Sequence, residues 1–168
     1  MAADWDVEGG VVLKRDRNPI RLYSDEERKR RDSTVWTLVQ GILAPLQFLV
    51  FLISLTLVLR FVLTGEGYAA ATLSVIVKTA VLYTIMITGA IWEKVVFGQY
   101  LLAPAFFWED VFSFVVIALH TSYLLLLAFD ASVGWQVATA LAAYSAYAVN
   151  ATQFVLKLRA ARLETGAA

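Results

Sequence analysis

The stretch FFWEDVFSFVVIALHTSYLLLLAF, Phe106 to Phe129, decides the class of this chain. From Val111 onward only His120 can carry a charge, and most of the run is apolar. A hydrocarbon layer about 30 Å thick needs roughly 20 such residues in a helix. Two adjacent carboxylates, Glu109 and Asp110, open the run, and the only histidine of the chain sits near its middle. Both features are costly in lipid, so both are candidates for function.

Three further runs have the same character. Ser33–Leu59 and Val133–Leu156 carry no charge, and Gly67–Trp92 carries only Lys78. The chain of 168 residues is 60% hydrophobic and 17% charged, against nearer half and a quarter in soluble domains. The sequence therefore predicts an all-α membrane protein with four transmembrane helices, at about 33–62, 68–92, 109–129 and 133–157. Residues 33–158 form that single domain. Residues 1–32 are expected as an N-terminal segment and 159–168 as a tail. Asn18-Pro19 marks a turn in a loose N-terminus. SDEERKRRD then opens with Ser24 and Glu27 at capping-box spacing, so a short amphipathic helix leads into the first span. The first apolar run is too long for a signal-peptide core and lacks a small-residue cleavage pattern.

Charge sets the orientation. Eight of the 14 basic residues precede the first span, Lys94 lies between spans two and three, and Lys157, Arg159 and Arg162 follow the fourth. The loops at 64–66 and 130–132 have none. The positive-inside rule then places both termini and the middle loop in the cytoplasm. Arg60, at the far end of span one, can snorkel to the outer interface. The formal net charge is zero, which gives no case for nucleic acid as a partner. With no cysteine there is no disulfide framework and no thiolate chemistry.

Topology turns position into depth. Lys78 and His120 fall at matching depth, about 14 Å from the outer edge at 1.5 Å per residue. Glu93, Lys94, Glu109, Asp110, Asn150, Gln153 and Gln40 gather toward the cytoplasmic end. Glu109, Ser113, Val116 and His120 share one helical stripe. Ala138, Ala142, Ala146, Asn150 and Gln153 are expected to form another, with the small residues as a close-packing face. Gln40, Gln47 and Ser54 recur every seven residues, around a bend expected at Pro45. These stripes predict a bundle packed tightly at its outer end and opening into a polar-lined cavity inside. Glu109 and Asp110 differ in direction by about 100°, so they cannot serve one partner; either could simply cap a helix N-terminus.

The segment WEKVVFGQYLLAPAFFWED, between spans two and three, is too apolar for a free loop. Gly98 and Pro104 interrupt it too much for a span, so an interfacial or re-entrant segment is expected. Its aromatic residues, Trp92, Trp108 and Phe107 among them, form either an interfacial belt or the wall of a flat apolar ligand. His120 is either a neutral imidazole bonded to a neighbouring helix, a ligand to a metal or macrocycle, or a proton-transfer group. Phosphate loops, HExxH and nucleophile elbows are absent. The residues alone fit an enzyme on a lipid-soluble substrate, a pigment-binding subunit or a small carrier. A carrier would need a polar path, and YLLLLAF beyond His120 offers none.

Four strings carry a resemblance: YSDEERKRRDSTVWTLVQGILAPLQFLVFLISL, IWEKVVFGQYLLAPAFFWEDVFS, ALHTSY and YAVNATQFVLKLRAARLE. Together they resemble the 3-vinyl bacteriochlorophyllide hydratases of phototrophic bacteria, over Leu22 to Glu164. The resemblance implies a membrane lyase of bacteriochlorophyll biosynthesis, in an inner or intracytoplasmic membrane. It would add water across the 3-vinyl group of chlorophyllide a or bacteriochlorophyllide, giving a 3-(1-hydroxyethyl) group. No cofactor is implied, because the substrate carries its own magnesium. Other pigment-biosynthesis or photosynthetic membrane proteins, and membrane lipid, are the partners such a setting implies.

Hydration of a vinyl group needs a protonated acid for the terminal carbon and a base for the attacking water. Glu109 or Glu93 fits the acid, with Glu109 preferred for the face it shares with His120. Asp110 or His120 fits the base, and His120 competes for a second role as axial ligand to the substrate magnesium. Lys94 or an N-terminal arginine would suit a substrate propionate at the cytoplasmic mouth. Trp92, Trp108, Phe107, Asn150 and Gln153 complete the expected binding residues. The alternative is a non-catalytic pigment-binding or assembly subunit.

Overall fold

The computed structural model describes residues 7–8, 11–12 and 22–166, with side chains over 22–159. The turn expected at Asn18-Pro19 lies outside the described residues. Apart from a short antiparallel pair, β1 (Val7–Glu8) and β2 (Val11–Val12), the described elements are helices. These are α1 (Asp25–Ser33), α2 (Val35–Thr64), α3 (Tyr68–Phe97), α4 (Phe107–Ala128) and α5 (Val133–Gly166).

Local chemistry sets most boundaries. Ser24 accepts the Glu27 N–H at 3.3 Å, and the Glu27 carboxylate accepts the Ser24 N–H at 2.8 Å, completing the capping box of α1. Thr34 ends α1 and caps α2 through its hydroxyl on the Trp36 N–H, so the chain turns a corner in one residue. Between α2 and α3 the chain reverses through Gly65 and Gly67, both left-handed at φ 73° and 86°. A side chain is strained there, which is why two glycines bracket Glu66. Helix α2 runs unbroken through Pro45.

The helices pair as two hairpins, α2 with α3 and α4 with α5, closely packed within each and more sparsely between them. Phe51, Val58, Val75, Leu82, Val116, Tyr123, Tyr144 and Tyr147 form the main core. Leu63, Ile87, Leu125 and Val155 are all more than half exposed. A belt of that kind is stable against lipid and not against water. Among the described residues three helices, α2, α3 and α4, are long and apolar enough to cross a membrane. The run expected as the fourth span lies within α5, which continues beyond it to Gly166.

Two expectations change. The apolar interval between spans two and three is helical at both ends: Trp92–Phe97 extends α3, and Phe107 already begins α4. Only 98–106 is left as a link, entered through left-handed Gly98 and carrying Leu102 at φ 60°. The packed face of α5 is also not the small-residue stripe. Ala138 and Ala142 are exposed, and Gln136, Ala140, Tyr144, Tyr147 and Asn150 are buried. Tyrosine hydroxyls need partners that lipid cannot supply, so the tyrosines turn inward, while Ala138 and Ala142 face out.

A second cluster closes the end of the bundle where α3 stops and α4 begins. Tyr23, Val96 and Phe106 are buried there against Trp92, Phe97 and Phe154. Tyr23 stacks on Phe97 at 5.7 Å between centroids, and Arg31 covers its ring at 4.7 Å. Burial pushes the Tyr23 phenol above its ordinary range, against the pull of Arg31. The segment ahead of α1 is therefore anchored in the bundle from Tyr23 onward.

Candidate active site

Glu93, near the end of α3, and Asp110, in the first turn of α4, are both buried, and their carboxyl groups lie within hydrogen-bonding reach of each other. The link between their helices supplies each with a donor. The Leu102 N–H reaches Asp110 Oδ2 at 2.7 Å, and the Ala103 N–H reaches Glu93 Oε2 at 3.2 Å. The left-handed Leu102 helps aim successive N–H groups inward. Two buried carboxyl groups this close favour sharing one proton over carrying two charges.

Glu109 faces another way. Its Oε2 accepts Lys157 Nζ at 2.7 Å, joining α4 to α5. One turn further along, Asn150 Nδ2 donates to Ser113 Oγ at 2.8 Å. Glu109 with Lys157 and Ser113 with Asn150 are thus paired off at this end. The expected open cavity is narrowed to these pairs.

A deeper polar layer lies on the seam between the hairpins. His120 is fully buried, and its Nδ1 lies 2.8 Å from the Val116 carbonyl. A carbonyl only accepts, so Nδ1 carries the hydrogen, and the neutral ring's lone pair is at Nε2. That nitrogen is buried without a hydrogen-bond partner. Lys78 lies close to His120, as the depth argument predicts, with its ammonium 3.6 Å from the centre of the Tyr147 ring. Gln47, 2% exposed, has neither amide atom hydrogen-bonded. Ser54 holds the Tyr144 hydroxyl at 2.6 Å.

Over residues 23–160 the chain matches the family described as 2-vinyl bacteriochlorophyllide hydratase. The chain belongs to that family. It is the same family as the one that the sequence resembles. A 2-vinyl bacteriochlorophyllide hydratase of Cereibacter sphaeroides is 70% identical over 148 residues, covering 88% of this chain and 92% of the relative. A protein of the same name from Rhodobacter capsulatus is 67% identical over 150 residues, 88% of each chain. No solved structure matches the chain. The protein is accordingly a hydro-lyase of bacteriochlorophyll biosynthesis, which removes the reading as a non-catalytic subunit.

In this hydratase the residues singled out from sequence separate into groups. Glu93 and Asp110 meet, whereas Glu109 pairs with Lys157 and is about 16 Å along α4 from His120, at 1.5 Å per residue. Lys94 donates to the Gly98 carbonyl at 2.6 Å, closing the end of α3. Trp92 donates to Thr37 Oγ1 at 2.9 Å and packs edge-on against Phe97 and Phe106. Phe107 and Trp108 lie against each other, 41% and 64% exposed, outside the bundle. Asn150 is buried on the Ser113 hydroxyl, and Gln153 is half-buried. Sequence reasoning missed Tyr144 and Tyr147 as walls of the deep layer, and Lys157 as the partner of Glu109. Three-residue spacing of tyrosines inside an apolar run was the available signal for the first two.

Proposed function

We propose that this hydratase adds water across the vinyl group of a magnesium-bearing chlorophyllide or bacteriochlorophyllide, and that the Glu93–Asp110 pair performs the proton transfers. The single observation that carries the assignment is the closeness of the two buried carboxyl groups, a geometry that favours one shared proton beside an acceptor. The acid must deliver a proton to the terminal vinyl carbon, leaving a cation at the carbon next to the ring, where the macrocycle delocalises it. Water attacks that carbon and loses a proton to the now deprotonated pair. One proton is given, one returns, and no electron is transferred, so the pair resets without a cofactor. Glu109 is the weaker candidate for the acid. An oxygen already accepting an ammonium proton at 2.7 Å has none of its own to give.

His120 is assigned as axial ligand to the substrate magnesium. The Nδ1 contact with the Val116 carbonyl orients the ring and leaves Nε2 as the donor atom, the arrangement common to metal-bound imidazoles. The macrocycle then enters along the seam between the hairpins, where the helices are held least tightly. Glu93 projects back along α3 toward the outer end, and His120 back along α4 toward the cytoplasmic end. The two side chains therefore lean toward one another across the width of a chlorin. Trp92, Lys94, Phe107, Trp108, Asn150 and Gln153 line the approach at the cytoplasmic boundary.

The membrane arrangement belongs to the same reading. Helix α5 crosses as the fourth span, the 98–106 link lies at the cytoplasmic interface, and both termini are cytoplasmic, in the inner or intracytoplasmic membrane. Membrane lipid and other pigment-biosynthesis or photosynthetic proteins are the partners this setting offers. The test is direct. Detergent-solubilised protein with chlorophyllide a in ¹⁸O-water should give the 1-hydroxyethyl pigment bearing the heavy oxygen, with no added cofactor. Stable pigment binding without product would overturn the proposal.

A further inference from the structure

Lys78 is the least expected group in the bundle. It is fully buried in the middle of α3, and its ammonium has no hydrogen-bond acceptor, only the face of the Tyr147 ring at 3.6 Å. The interior carboxylates among the described residues are committed elsewhere, Glu93 and Asp110 to each other and Glu109 to Lys157. An aromatic face stabilises a desolvated cation. That gain is smaller than the cost of removing an ammonium from water, even after relaxation. Cation–π contact alone leaves that difference uncovered, and a counter-charge would close it. Gln47 repeats the pattern. It lies one turn before Phe51, whose ring touches Tyr147 at 4.7 Å, and neither atom of its buried amide is hydrogen-bonded.

We propose that Lys78 is the receptor for the free carboxylate of the pigment. This rests on the assignment of a chlorophyllide-type substrate above and names the residue that orients it. A chlorophyllide differs from the finished pigment in carrying its propionate as a free acid, so it brings one negative charge into the bundle. Lys78 lies close to His120. The imidazole would hold the centre of the macrocycle, and the ammonium would hold the carboxylate-bearing edge. Two points fix the rotation of the ring about the axis from nitrogen to magnesium, and therefore which edge meets Glu93 and Asp110. Esterified pigment would lose the second point. Lys78 is thus a positioning residue, and Lys94, already bonded to the Gly98 carbonyl, is not needed for the propionate.

The experiment compares chlorophyllide a with its methyl ester by fluorescence titration against the full chain in detergent micelles, for the wild type, Lys78→Met and Lys78→Arg. The wild type should bind the free acid at least about ten-fold more tightly than the ester, on the scale of a charge-assisted pair out of water. Lys78→Met should bind both pigments as the wild type binds the ester, and Lys78→Arg should keep part of the preference. Replacing an unpaired buried charge by an apolar side chain of similar length should leave thermal stability unchanged or raised. A preference that survives in Lys78→Met would overturn the proposal, as would a wild type that does not distinguish acid from ester. The wild-type comparison requires no variant to fold. Hydration of acid and ester with equal affinity would end the role of Lys78 while leaving the hydratase reading intact.

Discussion

Glu93 and Asp110 come from different helices, yet their carboxyl groups are within hydrogen-bonding reach of each other, and each accepts an N–H from the same link. Glu93→Gln can keep this geometry, since an amide oxygen still accepts from Ala103 and an amide N–H can donate to Asp110. What it removes is the transferable proton. Turnover should fall by about 10²–10⁴-fold, the usual contribution of a positioned acid, while pigment affinity and thermal stability stay near wild type. Activity within a few-fold of wild type would remove Glu93 as the donor.

The ion pair between Lys157 and Glu109 should prove structural. Side-chain exposure is 25% for Lys157 and 9% for Glu109, so water screens the pair only in part. Lys157→Met leaves the carboxylate buried without its ammonium and should cost roughly 1–3 kcal/mol, below the range for a fully buried pair. The double variant Glu109→Gln with Lys157→Met should recover most of that loss in thermal unfolding. Turnover of the double variant should remain within about ten-fold of wild type. Loss of turnover comparable to Glu93→Gln would return Glu109 to the chemistry.

His120 separates binding from catalysis through the metal. As axial ligand it contributes affinity only where magnesium is present. His120→Ala should therefore weaken binding of chlorophyllide a by about ten-fold or more, 1.4 kcal/mol or above. The magnesium-free pigment should change far less, and it also controls for the space left by the imidazole. Equal losses for both pigments would rule out the ligand role.

Orientation can be tested with reporter fusions. Those after Glu66 and Asp130 should report outside, and those after Gly98 and Glu164 inside, because the two short loops carry no lysine or arginine. An outside signal at Glu164 would remove α5 as a fourth span.

The sequence by itself determined the class, because apolar run length against bilayer thickness is a property of the chain alone. It determined the capping box at Ser24 and Glu27, since that motif closes within four residues. It also determined the buried stripe Glu109, Ser113, Val116 and His120, which follows from helical periodicity. The family followed too, from strings long enough to be specific. Which acid meets which was decided by the tertiary structure. Glu109 and Asp110 are neighbours in sequence, and only the placement of α3 and α5 on either side of α4 sends one to Lys157 and the other to Glu93. The inward turn of Tyr144 and Tyr147 and the burial of Tyr23 were decided the same way. A hydroxyl or an aromatic ring is placed by the partner it finds across the bundle, and periodicity along one helix does not contain that partner.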